Sequence, residues 1–270
     1  MRTYIYALTI AAASCAAGCS SDKEPLGGGT ADTGTVRLTV AASAEVASET
    51  RAETVELPAA SVPDADDFSL RITGSYYDDA GTMHSYDRTW PTVGAFDAPK
   101  MVHGDYTASV SFGDMQNEGT DAACFAGTQD FTILARRTVE AAITASLQNA
   151  AFRLAFGEWF SRYYTQAKIT VRTESDHSFT FTQANTSLVF VKPATKLFLK
   201  GTAVTAQNGA EVEFPEAEIG TTKARTLHTI RVDASEAGGG KLVIDLDDTF
   251  TELEEQVIEL NPEAQTDLRK

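Results

Sequence analysis

Apolar and polar residues alternate along most of this chain. TVRLTVAAS sets Val36, Leu38 and Val40 on one face of an extended segment, and DFSLRITG does the same with Phe68, Leu70 and Ile72. GDYTASVSFGD aligns Tyr106, Ala108, Val110 and Phe112; RRTVEAAITASL aligns Val139, Ala141, Ile143, Ala145 and Leu147. A period of two is the mark of half-buried, antiparallel strands. YYDDAGT, residues 76–82, reads as a turn between two of them.

The pattern resumes at FRLAF, with Phe152, Leu154 and Phe156 on one side, and at AKITVRTE, with Ile169 and Val171. HSFTFT, SLVFV, KLFLKGTAV, AEVEF, LHTIRVDAS, GKLVIDLDD and EQVIEL follow, separated by the breaks KPAT, QNGA and EAGGGK. One segment has helical spacing instead. In GEWFSRYYT, residues 157–165, Trp159, Phe160, Tyr163 and Tyr164 stand at i, i+1, i+4 and i+5, one side of a short helix suited to capping a sandwich.

Many short strands without alternating long helices predict an all-β chain. The expectation is two tandem Ig-like antiparallel β-sandwich domains, at 34–147 and 148–262, with the one short helix in the second. They meet at Gln148-Asn149, a junction short enough to pack them as a stiff pair. Residues 263–270 form a polar tail. Glu211, Glu213, Arg231, Asp233 and Asp245, charges inside strands, are expected to protect edges from unwanted pairing.

The first residues break the pattern. Met1-Arg2 precedes TYIYALTIAAAS and then CAAGC, the layout of a secretory signal peptide over residues 1–18, with an apolar run too short to span a bilayer. Ala16-Ala17-Gly18-Cys19 resembles a bacterial lipobox, in which small residues fit the signal peptidase and the cysteine thiol receives lipid. Cys19 is therefore the expected lipidation site. Cys15, after Ala13-Ser14, is the alternative, and an ordinary cleaved signal peptide is the plainer one. Residues 19–33 read as a flexible tether rich in Ser, Gly and Asp, whose roughly fifteen residues span about 20 Å. Asp22 and Glu24 resemble the surface-export signal of Bacteroidota lipoproteins; a solvated charge cluster is the alternative.

Removing residues 1–18 takes one basic residue, Arg2, of the 22, and none of the 38 acidic ones, so the remaining 252 residues carry a formal charge of −17. Such a surface repels phosphate backbones and excludes nucleic acid as a partner. With Cys15 removed and Cys19 acylated, Cys124 stands alone, so no internal disulfide forms and stability rests on packed cores. Within ACFAG, Cys124 reads as a small buried hydrophobe rather than a nucleophile.

No recognisable catalytic pattern emerges. His84, His103, His177 and His228 lie in separate segments without a metal-ligand pair, and neither GxSxG nor a phosphate-binding glycine loop is present. DLDDTFTELEE, 245–255, invites a calcium reading, but Asp245 and Asp247 fall on the strand face opposite Leu242, Ile244 and Leu246, and an EF-hand order is missing. Trp90, Tyr76 and Tyr77 are candidates for stacking on sugars; closing a core or a turn is their ordinary use. No catalytic, cofactor or metal residue is assigned, no cofactor is expected, and the chain is not read as an enzyme.

GDYTASVSFGD (104–114), EGTDAACFAGTQDFTI (118–133), WFSRYYTQAKITV (159–171), VKPATKLFLKGT (191–202) and KARTLHTIRVD (223–233) together resemble the Bacteroidota lipoproteins that carry the domain of unknown function numbered 4493. The resemblance covers most of 34–260. It implies a lipid-anchored envelope protein of unknown biochemical activity and supplies no site residues.

SETRAETVELP (48–58) resembles a second group, the fimbrillin precursors of the same bacteria, which are lipoproteins of two β-sandwiches cut after an arginine that follows the first strand. That resemblance implies processing at Arg51-Ala52, loss of Val36, Leu38 and Val40, and a groove that another subunit fills by strand addition. An ordinary polar loop is the alternative. Against a shaft subunit, EAQTDLRK after EQVIELNP offers only Ala264 and Leu268 as apolar residues to donate.

The expected protein is an outer-membrane lipoprotein at the cell surface, held to the membrane by its anchor and serving as a binding or structural module for a glycan or protein ligand. A fimbrial subunit or accessory protein matured after Arg51 is the runner-up, and a glycan-active enzyme the third reading.

Overall fold

Thr33–Ala42 forms the first strand, β1, as its alternating Val36 and Val40 require. The computed structural model describes residues 32–48, 54–235, 240–246 and 249–257. Next come β2 (Glu45–Ser48), β3 (Thr54–Glu56), β4 (Ser69–Tyr77), β5 (Met83–Trp90), β6 (Met101–Val102), β7 (Gly104–Phe112), β8 (Phe125–Ile133) and β9 (Thr138–Leu147). After these lie β10 (Ala150–Phe156), the helix α1 (Glu158–Tyr163), β11 (Tyr164–Thr173), β12 (Ser178–Phe181), β13 (Val189–Val191) and β14 (Lys196–Thr205). The described chain closes with β15 (Glu211–Thr221), β16 (Thr226–Ala234), β17 (Lys241–Leu246), β18 (Thr249–Glu254) and β19 (Gln256–Val257). The fold is all-β, as its alternation predicts, and among the described residues no helix is long and apolar enough to cross a membrane.

The described strands form three sheets. The first runs β5-β4-β7-β8-β9-β1-β6. Its β8–β9 ladder holds only two pairs, Phe125 with Leu147 and Ala126 with Ser146, so the path turns there. A side chain at Gly127 would meet the Thr144 carbonyl oxygen at 2.6 Å; glycine lets the two strands cross closely at this corner. Leu70, Ile72, Ala108 and Val110 thereby join Val36, Ala141, Ile143 and Ala145 in one apolar cluster. The other two sheets, β13-β10-β16-β17-β18 and β12-β11-β14-β15-β19, enclose a second cluster built from Phe152, Leu154, Ile169, Val171, Phe214, Val232 and Ile244.

The expected antiparallel pairing holds in the hairpins and fails in three ladders. β1 runs parallel to β9 from Thr35–Thr138 to Ala42–Ala145, β10 parallel to β16, and β2 parallel to β16. Parallel neighbours need a long intervening connection: β4, β5, β7 and β8 lie between β1 and β9 along the chain, and β11, β12, β14 and β15, from the other sheet, between β10 and β16. Alternation reports which side of a strand is buried and is silent on its neighbour's direction. The β2–β3 hairpin is a further departure, since it adds a segment from the N-terminal part of the chain to the sheet of β16.

Edge protection does not explain four of the five strand charges. Glu213 lies on β15 between Thr202 of β14 and Gln256 of β19. Arg231 and Asp233 lie on β16, flanked by β10 and β17, and Asp245 lies on β17, flanked by β16 and β18. Asp233 instead caps the helix: its Oδ1 accepts from Phe160 N at 2.7 Å and from Ala234 N at 2.8 Å. A side chain at the N-cap, Gly157, would fall 2.0 Å from the Asp233 carboxyl carbon, so glycine here leaves room for the capping carboxylate. The helix stops at Tyr163, and Tyr164 opens β11. Phe160 and Tyr164 enter the core, while Trp159 and Tyr163 stack at 6.0 Å on its margin.

Asn149, at the expected junction, is 1% exposed. Its Nδ2 donates to the Ala122 carbonyl at 2.8 Å, its Oδ1 accepts from Cys124 N at 3.2 Å, and its carbonyl accepts from Arg225 N at 2.9 Å. Every polar group of this buried residue type must find a partner, and here the partners tie three segments together.

Candidate functional site

The outward face of β5, β4, β7 and β8 is built from short polar side chains. Their inward positions, such as Leu70, Ile72, Ala108 and Val110, are fully buried, so the alternate positions face out. Strand register arranges these in rows: Ser85, Ser75, Asp105 and Thr132; then Asp87, Thr73, Thr107 and Asp130; then Thr89, Arg71, Ser109 and Thr128. Arg71 is the single long side chain among the twelve, and a two-bond pairing holds it down. Its Nε donates to Asp87 Oδ1 at 2.9 Å and its Nη2 to Asp87 Oδ2 at 2.6 Å. The guanidinium's hydrogen bonds hold the Asp87 carboxyl below the usual carboxylate range.

Two reciprocal pairs cross between β7 and β8. Thr132 Oγ1 donates to Asp105 Oδ1 at 2.7 Å, and Thr107 Oγ1 donates to Asp130 Oδ1 at 2.6 Å. Each threonine proton goes to the facing carboxylate, and each Oδ2 receives no hydrogen bond from the described residues. A shallow depression of about 380 Å³ lies among these four side chains. Around this depression two carboxylates are therefore held with one oxygen each free to accept, within a face of hydroxyls that can donate or accept.

One end of the face is apolar. Tyr77 and Met83 are cross-strand partners, 58% and 63% exposed, on the same side as Ser75 and Ser85 by alternation. Beyond them the turn 78–82 is held by Asp78 Oδ1, which accepts from Ala80 N at 3.0 Å and Thr82 N at 2.8 Å. His84 Nε2 lies 2.9 Å from Asp78 Oδ2, and this hydrogen bond, with that of Thr82, holds the Asp78 carboxyl low. On the opposite side, His84 stacks on Tyr76 with centroids 5.4 Å apart.

Of the three aromatic candidates from the sequence, Tyr77 alone is freely exposed. Trp90 is 4% exposed; its Nε1 donates to Asp97 Oδ1 at 2.8 Å, Phe96 packs against it edge-on at 5.0 Å, and Arg88 covers it at 4.7 Å. It closes the core rather than offering a platform.

The four histidines stay apart. His228 is fully buried, its Nε2 accepting from Lys223 N at 2.9 Å; His103 is exposed; His177 pairs with Glu118 through Nδ1 and Oε2 at 2.8 Å. Among the described residues no group of three His, Cys, Asp or Glu side chains could hold a metal ion. Asp245 is half-buried, and its Oδ1 has no hydrogen-bond partner among the described residues; Asp247 lies outside them. Cys124 is buried, and burial pushes its thiol up. Cys19, Arg51 and Ala52 also lie outside the described residues.

Sequence reasoning passed over Asp105, Thr107, Asp130 and Thr132. Their signal was present: the polar positions of GDYTASVSF and QDFTI are Ser, Thr and Asp apart from Gln129, without the Lys and Glu usual on a solvent face.

The model of the family described as Domain of unknown function (DUF4493) matches residues 32–262. Two solved proteins described as putative cell adhesion proteins, from Bacteroides ovatus and Bacteroides eggerthii, each align over 84% of this chain with TM-scores of 0.38. They are 9% and 10% identical, and 99% and 96% of their own chains are covered. A fimbrial protein from Bacteroides ovatus aligns over 78% of this chain and 50% of its own, at 8% identity and a TM-score of 0.34. Alignments at these scores transfer no function. A comparison with curated proteins finds no match.

Proposed function

This chain belongs to the DUF4493 family, and from that premise we propose that it is a binding module displayed at the cell surface, tethered to the outer membrane through a lipid on Cys19. The observation that carries the reading is the outward face of β5, β4, β7 and β8: a broad, flat array of short polar side chains, with an exposed aromatic at one end and two fixed carboxylates. The lipobox-like Ala16-Ala17-Gly18-Cys19 and the polar tether behind it support the anchor. Two lobes, 34–147 and 148–262, act as one stiff body in this reading, supported by Asn149 and by the Gly119–Phe190 backbone pair.

A second reading, a fimbrial subunit or accessory protein matured between Arg51 and Ala52, draws on one observation. β1 and β2 both precede that bond, and β1 supplies Val36 and Val40 to the first core. A cut there would leave β1 held only by its ladders and packing.

Mass measurement on the protein extracted from native membranes, with its N-terminal peptide, tests both. An acylated Cys19 on an otherwise full-length chain supports the anchored module. A chain beginning at Ala52 makes strand exchange the leading reading, and an unmodified N-terminus after residue 18 removes the anchor.

A further inference from the structure

Resting on the reading of this face as the ligand-contacting surface, we propose that it binds a glycan chain free of anionic groups, with Tyr77 stacking on a sugar ring and Asp105 and Asp130 accepting sugar hydroxyls. Three features converge on that chemistry.

First, two carboxylates on the face are fixed in place with acceptor capacity to spare. Thr107 and Thr132 donate to Asp130 and Asp105, which fixes each carboxylate and leaves an oxygen facing outward. The two carboxylates call for donors and the surrounding Ser and Thr hydroxyls serve either role, which suits sugar hydroxyls, each both donor and acceptor; carboxylate acceptors make charge-assisted bonds about twice as strong as neutral ones. Second, charge is one-sided. Asp87 is neutralised by Arg71, whereas Asp105 and Asp130 have no cation among their hydrogen-bond partners. Sulfated and uronate chains are repelled. Third, the apolar ledge of Tyr77 and Met83 sits at the end of the same face. A pyranose ring has an apolar C–H face and a polar rim, and this surface offers a ring beside hydroxyls and two carboxylates. Short side chains on paired strands lose little rotamer freedom when a ligand settles on them, so a preformed face favours an extended chain. A protein partner would look for a larger apolar patch than one Tyr–Met pair.

The test is titration of the full-length protein in detergent with neutral gluco-, manno- and xylo-oligosaccharides and, in parallel, with polygalacturonate and a sulfated glycan. Wild type is compared with Tyr77→Ala, Asp105→Asn and Asp130→Asn, all at exposed positions, and with Phe250→Ala, an exposed apolar control on β18. The asparagine variants keep the shape and turn an acceptor into a donor. Support is binding of a neutral glycan that weakens tenfold or more in each face variant and is unchanged in Phe250→Ala. Neutral-glycan binding insensitive to the face variants, or a preference for the anionic chains, overturns the proposal while leaving the surface module intact. Cross-linking to a protein ligand that is lost in the same variants overturns the glycan and keeps the face. Turnover of the bound glycan, or no ligand dependent on these residues, overturns the binding reading as well. The acylation state of Cys19 is read separately.

Discussion

Glu118 Oε2 lies 2.8 Å from His177 Nδ1, and the glutamate side chain is completely buried while the histidine is half-exposed. The same oxygen accepts from Thr173 Oγ1 at 2.8 Å, and Oε1 accepts from Lys192 N at 3.4 Å. Next to it, Gly119 and Phe190 exchange backbone hydrogen bonds at 2.9 and 2.8 Å. The segment between β7 and β8 is thus fastened onto the strands of the C-terminal part. Glu118→Ala removes three acceptor contacts and orphans the buried Thr173 hydroxyl. Its expected cost is about 2–3 kcal/mol in urea unfolding, with faster proteolysis in residues 113–124; Glu118→Gln costs less. A loss below about 0.5 kcal/mol, the range of ordinary surface changes, would sink the fastening role.

Gly157 and Asp233 act as one cap. In Gly157→Ala the new methyl displaces the Asp233 carboxylate from Phe160 N, and Asp233→Ala removes it outright. Each is expected to cost about 1 kcal/mol, the usual worth of a helix cap. Thermal unfolding of the double variant then shows little beyond either single change. Full additivity would mean that the two positions are independent.

Alkaline stability follows from buried tyrosines. Burial, reinforced by neighbouring Tyr76 and Tyr86, pushes Tyr106 up to about 12 from the ordinary 10. Burial and the hydrogen bond to Glu255 raise Tyr164 as well. A group whose folded value is raised contributes stability that is whole below its unfolded value and is lost as pH rises through the folded one. Stability should therefore hold up to about pH 10 and fall between about 10 and 12. Tyrosinate absorbance during an alkaline titration should show these side chains ionising together with loss of folded structure. Tyr106→Phe, which also gives up the bond to the Val102 carbonyl, should flatten that decline. Smooth ionisation of all eight tyrosines near their ordinary value, with the fold retained, would contradict it.

A specific protease site placed at Arg51 separates cutting from strand release. β1 pairs with β9 along Thr35–Ala42 and buries Val36 and Val40, each worth roughly 1.5–3 kcal/mol; β2 is held by β16 and β3. The nicked N-terminal piece should stay bound through gel filtration and leave only in denaturant. Spontaneous dissociation after the cut would favour the strand-exchange reading.

Much of the architecture was legible along the chain. Leu70 and Ile72, Ala141 and Ile143, Ile169 and Val171 face inward as their spacing predicts, because the side of a strand that meets the core is a local property with a period of two. The short helix and buried Cys124 were legible for similar local reasons. Tyr77 was a candidate and is exposed; Trp90 was another and is buried, since whether an aromatic ring is covered depends on a segment elsewhere, here Phe96 and Asp97. Tertiary structure alone decided the rest. Every strand edge offers the same N–H and C=O groups, so alternation could not reveal that β1 runs parallel to β9 or that β2 joins β16. Nor could local pattern bring Asp233 to a helix start 73 residues away, or Glu118 to Thr173 across 55. The fixed carboxylates exist only because β7 and β8 align Asp105 with Thr132 and Thr107 with Asp130. Register of that kind is set by the packed core beneath the sheet, which no single stretch of sequence contains.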